Sequence, residues 1–463
     1  MAVEISPAVK RALEQRLGDR AVFPNHPRYE ETRRIWNGMI DLRPGVLAQA
    51  TDAAEVAYLV DLARDAELPL AVRGGGHNVA GLGLCEGGLV IDLALMRGAR
   101  IDPESDRAFV QGGCLLGDVD AATQLQGRAV PAGVVSHTGV GGLALGGGVG
   151  WLCRRHGLTC DYLRGAEIVT ADGEVRRIDD AGDPDLMWAL RGGGGNFGVV
   201  TEFEFETVAR GPVLIAKAIY PFDQIGELAP AWREIVTSQP EDMMTSAAYR
   251  RAVPLPVLPT ELHGELVWGM VMIWAGDHEE GREVMNSLLD LGRPALLAPP
   301  APMPYVEMQS MLDANQPHGL RYYEKTAYLE ACPDDALDLI VEGGREVPGP
   351  ESLLETIYYG GAVSRVADDA TAFPNRDLGF AVQSVAVWTD PAEDGIHRDW
   401  ARRVVDRLEP WSRGGYVNYF SDEAGGSMLR DIYGKNLDRL RRVKGRVDPD
   451  NLFRRNQNIE PAP

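Results

Sequence analysis

With 463 residues, 45% of them hydrophobic and 25% charged, the chain has a globular composition and is too long for one ordinary core, so two or three domains are expected. Its formal net charge of −22 argues against a nucleic-acid or anionic-membrane partner, since both need a basic face. The N-terminus carries no basic start and apolar run, no stretch reaches membrane-span length, and the five cysteines form neither a CxxC pair nor a zinc-spaced cluster; free thiols in the cytoplasm and no metal are expected.

Residues 1–35 read as helical and polar. Leu47 to Ala66 reads as a strand followed by a helix capped near Thr51-Asp52, with Val56, Leu59, Val60 and Ala63 at helical spacing. The strand Leu68 to Val72 runs into Arg73-Gly74-Gly75-Gly76-His77-Asn78, and Leu89 to Leu93 and Phe109 to Gln111 are further strands. Leu115 to Leu125 is a helix, followed by a second glycine-dense region at residues 131–150. An Asp172-Gly173 turn between Ile168-Val169 and Val175-Arg176 marks a hairpin. The helix Leu186 to Leu190 leads into a third glycine run, Gly192 to Gly195, and then Asn196-Phe197-Gly198-Val199-Val200. In the next strand Phe203 and Phe205 alternate with Glu202, Glu204 and Glu206.

Beyond Gly211-Pro212 the glycine runs largely vanish. Strands at Val213 to Tyr220, Leu262 to Trp274, Leu353 to Tyr359 and Phe380 to Trp388 alternate with helices at Glu279 to Leu291, Asp335 to Glu342 and Asp394 to Leu408. That pattern predicts an α+β unit with a mainly antiparallel sheet, in which the proline-rich Leu296 to Pro304 is a loop. A strand, Tyr416 to Tyr419, a helix, Met428 to Val443, and a terminal segment, Asp448 to Ile459, complete the chain.

Adjacent glycines leave backbone N–H groups free to close on a phosphate. A dinucleotide fold of the single GxGxxG type uses one such turn, whereas here the glycines are spread over 74–76, 139–150 and 192–198; lysine is absent from all three, which removes the nucleoside-triphosphate loop. An extended dinucleotide touched by several loops fits better.

Arg73 to Asn78, Ala132 to Gly150, Arg155-His156-Gly157-Leu158 with Asp161, Leu190 to Phe203, Tyr416 to Tyr419 and Asp448 to Ile459 together resemble the berberine-bridge-enzyme-like FAD-linked oxidases, within the vanillyl-alcohol-oxidase or PCMH-type superfamily. The resemblance covers essentially the whole chain. It implies an α+β fold: a PCMH-type FAD-binding domain of two α/β subdomains from residues 1–210, completed by 413–463, with a substrate domain inserted at 211–412. It also implies FAD bonded through its 8α-methyl to His77. The family's second, cysteinyl bond falls on Val135, so a monocovalent, bacterial type is expected.

By the same resemblance, cofactor contacts fall on Arg73, Gly74, Gly75, Gly76 and Asn78, and on Ser136, His137, Thr138, Gly139, Gly141, Gly142, Gly146, Gly147 and Gly150. Others fall on Asp161, Gly198, Val199, Val200, Asn418, Asn456 and Asn458. His137 is expected at the ribityl chain or a phosphate, and Thr138 borders the oxygen-reacting face. Hydride transfer to the flavin requires a base. Tyr416, sharing a strand face with Asn418, is the first candidate; Glu355 and Tyr359, on one face of another strand, are the second. The remaining histidines are assigned no role. The implied activity is oxidation of an alcohol, phenolic or related small organic substrate with O₂ as acceptor. A dehydrogenase using another acceptor, a sugar or oligosaccharide oxidase, and a flavin-containing protein that only sequesters a ligand are the alternatives.

Overall fold

The computed structural model describes residues 5–254, 256–377, 379–420 and 426–462, without the side chains of 426 and 427. Near the N-terminus Ala21–Val22, Val46–Gln49, Leu89–Asp92 and Leu70–Arg73 lie side by side, the last three parallel. The helix Ala53–Asp65 connects two of them, and its N-cap Asp52 accepts from the Glu55 N–H at 2.8 Å. A parallel sheet covered on both faces takes near-continuous apolar strands, and Leu89–Asp92 is buried throughout.

An antiparallel five-stranded sheet follows, in the order Ala99–Asp102, Arg107–Gln111, Val199–Glu206, Leu163–Val169, Val175–Asp179. Phe203 and Phe205 point into its core while Glu202 and Glu204 meet Arg177 outside, as the alternation requires. Tyr433, Leu440, Val443 and Ile459 of the C-terminal segment pack into this same core and complete it.

Residues 213–388 form one antiparallel seven-stranded sheet: Leu296–Met303, Val213–Pro221, Leu266–Trp274, Met243–Arg251, Leu353–Tyr358, Phe380–Trp388, Arg321–Leu329. Its strands sort their residues with period two. Tyr249, Leu354, Val382 and Tyr323 join the core formed with the helices Ile225–Ser238, His278–Leu289, Asp334–Arg345 and Asp394–Arg407. Ser246, Glu355, Gln383 and Glu324 face a cavity on the other side.

Several sequence expectations change. The first 35 residues hold the helix Pro7–Leu17 but also a short strand, Ala21–Val22. The proline-rich segment is a strand, tolerated because it is an edge paired only to Val213–Pro221, through a register shift, where prolines need supply no second row of N–H groups. Tyr416 to Tyr419 is no strand: Val417–Tyr419 is a 3₁₀ turn closed by the Tyr419 N–H on the Tyr416 carbonyl at 3.0 Å. The C-terminal helix is two helices, Gly426–Tyr433 and Leu437–Val447, parted by a short 3₁₀ segment opened by Gly434 at φ +47°. Unforeseen strands at Met243–Arg251 and Arg321–Leu329 are centrally placed or closely covered, so they carry no clean polar alternation.

Candidate active site

The glycine loops meet back to back. A Cβ on Gly75 would lie 2.5 Å from the Gly139 Cα, and one on Gly139 would lie 2.4 Å from the Gly75 nitrogen, so only glycines allow the approach. Arg73 anchors the first loop from beneath. Its guanidinium is buried, donates to Asp92 at 3.1 and 2.5 Å, and also reaches the Thr32 carbonyl. Arg73 therefore braces the loop from a place on the cavity wall.

His77 follows at the cavity wall. Trp36 stacks on its ring at 4.3 Å between centroids and 14° between planes, and Tyr322 stacks on Trp36 in turn at 3.7 Å. Its Nε2 lies 3.2 Å from Nδ1 of His137. Burial, with the His137 and His318 rings nearby, depresses its pKa to about 3, so the imidazole is neutral and nucleophilic at physiological pH. Val135 is in the wall nearby, while all five cysteines are free, buried and away from it.

The cavity, about 720 Å³, runs from these loops to the seven-stranded sheet and is within the range of about 300–1,000 Å³ usual for small-molecule sites. On the sheet side Ser246 donates to Oε1 of Glu355, and the Gln383 amide donates to Oε2 of Glu324 at 3.2 Å. Burial raises both carboxyls, Glu324 to about 7 with help from the charge of Glu355; the hydrogen bonds only partly offset it. Tyr359, Tyr416 and Tyr419 close the same end. The Tyr416 Oη accepts from the Gly148 N–H and the Asn418 amide, each at 2.9 Å, yet burial still pushes its pKa up to about 12. Tyr416 and Asn418 are thus neighbours through a turn and a hydrogen bond, where a shared strand face had been expected.

Of the expected residues, Gly74 to Asn78, Thr138, Gly139, Gly141, Gly142 and Gly150 line the cavity. So do Gly198, Val199, Val200, Asn418, Asn456, Tyr416, Tyr359 and Glu355. Six do not. Ser136 binds Asp313 through its N–H and hydroxyl at 2.9 and 2.5 Å. His137 lies off the wall and pairs with His77. Gly146 and Gly147 make room for Asn418 and for Phe373 with Tyr416. Asp161 is paired with Arg376 at 2.7 Å, and Asn458 lies off the wall. Sequence reasoning missed Trp36, Ser246, Glu324, Gln383 and His318. Glu324 and Gln383 carry no motif, and only the sheet register brings them beside Glu355.

A dinucleotide fits this wall on two counts. Cβ atoms on Gly142 or Gly195 would meet nothing but open cavity, leaving bare backbone for a close-lying ligand. Oδ1 of Asn456, also on the wall, is buried without a hydrogen-bond partner. Among the described residues no group of three or more His, Cys, Asp or Glu could hold a metal ion, and no helix is long and apolar enough to cross a membrane.

Comparison with known proteins agrees. An "FAD binding domain" family matches residues 44–179 and a "Berberine and berberine like" family matches 415–460. An FAD-linked oxidoreductase of Dictyostelium discoideum is 30% identical across 93% of this chain and 92% of its own. The structure of 6-hydroxy-D-nicotine oxidase from Arthrobacter nicotinovorans superposes with a TM-score of 0.82 at 26% identity, covering 96% of this chain and 98% of that one. Glucooligosaccharide oxidase from Acremonium strictum, described with a 6-S-cysteinyl, 8α-N1-histidyl FAD, shares the fold at a TM-score of 0.86 and 22% identity, over 98% and 99% of the two chains. With its glycine loops, its C-terminal segment and its whole length thus matched, the chain belongs to the berberine-bridge-enzyme-like family of FAD-linked oxidoreductases.

Proposed function

We propose that this chain is a monocovalent flavin oxidase, with FAD attached through His77, that oxidises an alcohol or phenolic small organic substrate and passes the electrons to O₂. The observation that carries the reading is the His77 ring itself: neutral, set in the cavity wall, fixed on one face by Trp36 and at Nε2 by His137. Val135 supplies no thiol for a second bond. In this reading residues 1–210 and 413–463 hold the cofactor, and the sheet at 211–412 supplies the substrate wall.

FAD, when bound, supplies the hydride acceptor. The chain supplies the proton acceptor, and Glu355 suits that task better than Tyr416. A carboxyl, even one that burial raises above the usual range, gives up its proton far more readily than a phenol pushed up to about 12, which stays protonated and acts as a hydrogen-bonding wall. Ser246 fixes one Glu355 oxygen and leaves the other for a substrate hydroxyl. Tyr359, Tyr416, Tyr419, Met244, Ile357 and Val385 give that substrate an apolar, aromatic surround, which favours an aromatic substrate over a sugar.

Acid precipitation tests the cofactor assignment. Yellow colour should remain in the wild-type pellet and wash out of the His77→Ala pellet. Colour washing out of the wild type sinks it. Reoxidation of the reduced protein by air, compared with a quinone, tests the acceptor: slow reaction with air would make it a dehydrogenase.

A further inference from the structure

Three imidazoles run from the cavity wall to the surface. His77 is half-buried in the wall, His137 is half-buried behind it, and His318 is exposed. His77 Nε2 and His137 Nδ1 are 3.2 Å apart, and the His137 and His318 rings are 4.9 Å apart between centroids. His318 comes from the other half of the fold, on a segment clamped over this spot. The Trp36 indole donates to the Gln316 carbonyl at 3.0 Å, the Gly319 N–H donates to the Trp36 carbonyl at 2.9 Å, and Asp313 holds Ser136, next to His137. Both parts of the fold are therefore needed to assemble the row, and none of its members beyond His77 touches the cavity.

Resting on the assignment of His77 as the point of attachment, the geometry points to His137 as a positioning residue for the covalent bond: it orients His77 through Nε2, leaves Nδ1 to bond the flavin, and takes the proton that must leave, with His318 at the solvent end. The balance requires such a group. One C–H bond of the 8α-methyl and the N–H bond of His77 are broken, and a C–N bond forms. The two electrons left on the ring system go to dioxygen, which with the two protons becomes hydrogen peroxide. If Nδ1 forms the bond, the departing proton is the one on Nε2, and Nε2 already faces His137. His77 itself cannot retain that proton, because burial and its two histidine neighbours disfavour its cationic form. The titratable groups facing His137 are His77 and His318; Asp313 is turned to the Ser136 hydroxyl.

The test uses full-length flavin-free protein to which FAD is added, scoring acid-stable flavin against time, with binding before attachment followed by flavin fluorescence. His137→Ala and His137→Gln should bind FAD as the wild type does but attach it about 10²-fold more slowly, the scale of a lost acid–base group. Glutamine accepts a hydrogen bond without taking up a proton. Full rescue by His137→Gln, a wild-type rate in His137→Ala, or loss of FAD binding in both variants overturns the proposal. Absence of acid-stable flavin in the wild type is a separate failure, that of the His77 assignment.

Discussion

Around His77 the cavity wall is backbone, with Gly75 and Gly139 in contact where no Cβ fits and Gly142 and Gly195 left bare; across the cavity, on the seven-stranded sheet, it is side chains standing on alternate positions of neighbouring strands. The first wall is fixed by sterics and takes a ligand by shape and N–H dipoles. The second is fixed by sheet register and offers polar chemistry to the cavity, through Glu355, Glu324 and the tyrosines. Changes in the glycine wall should therefore cost cofactor and fold together, and changes in the sheet wall should cost turnover with cofactor retained.

The largest effect is expected at the glycine contact. Gly139→Ala sets a methyl against the Gly75 backbone at 2.4 Å, an overpacking that neither loop can relieve by turning a side chain; about 3 kcal/mol of stability and essentially all bound flavin should be lost. Gly142→Ala is the control. Its Cβ meets nothing in the protein, so the unfolding midpoint should hold while FAD occupancy falls. Absorbance at the flavin band and a denaturant titration read both. Equal loss of stability in the two variants would remove the distinction between a packed and an open glycine.

Glu355→Gln probes the opposite wall. Flavin content and acid stability should match the wild type, while the anaerobic rate of flavin reduction falls by about 10²–10⁴-fold. In the wild type that rate should rise with pH through a titration above the usual carboxylate range, because burial raises Glu355 and only its deprotonated form is a base. A reduction rate in Glu355→Gln within a few-fold of wild type would return the base to Tyr416, whose replacement by phenylalanine would then give the larger loss.

The two walls also differ in how far they could be read in advance. Gly74 to His77 and the 139–150 run are local sequence features, so a bare backbone wall could be expected from them, although the contact of Gly75 with Gly139 that makes it tight joins distant residues. Glu355 was visible too, but Ser246, Gln383 and Glu324 were not, since they reach it only through the pairing of Met243–Arg251, Phe380–Trp388 and Arg321–Leu329. Two of those three strands carried no clean polar alternation, because most of their positions are buried whether they face the core or the cavity. His137 illustrates a third case: its ring is paired with His77 and neighboured by His318, a long-range arrangement that no local motif carries.

The smallest effect expected is on stability, at Glu324. Its folded pKa of about 7 lies above the ordinary 4.5 of an exposed glutamate, so between those values the folded protein binds the extra proton. The contribution of the protonated carboxyl is complete below about pH 4.5 and is lost as pH rises through about 7. Glutamine keeps the amide-sized polar group beside Gln383 without the charge. Denaturant titrations at steps from pH 4.5 to 8 should therefore show the wild type losing stability relative to Glu324→Gln as the pH rises, with the two curves closest at the acid end. Because Glu355 shares the low-dielectric wall and its charge adds to the rise at Glu324, the same variant should also move the pH profile of flavin reduction towards lower pH while leaving its maximum rate within a few-fold. An unshifted profile would mean that the two carboxyls titrate independently, and that Glu324 belongs to the architecture of the sheet alone.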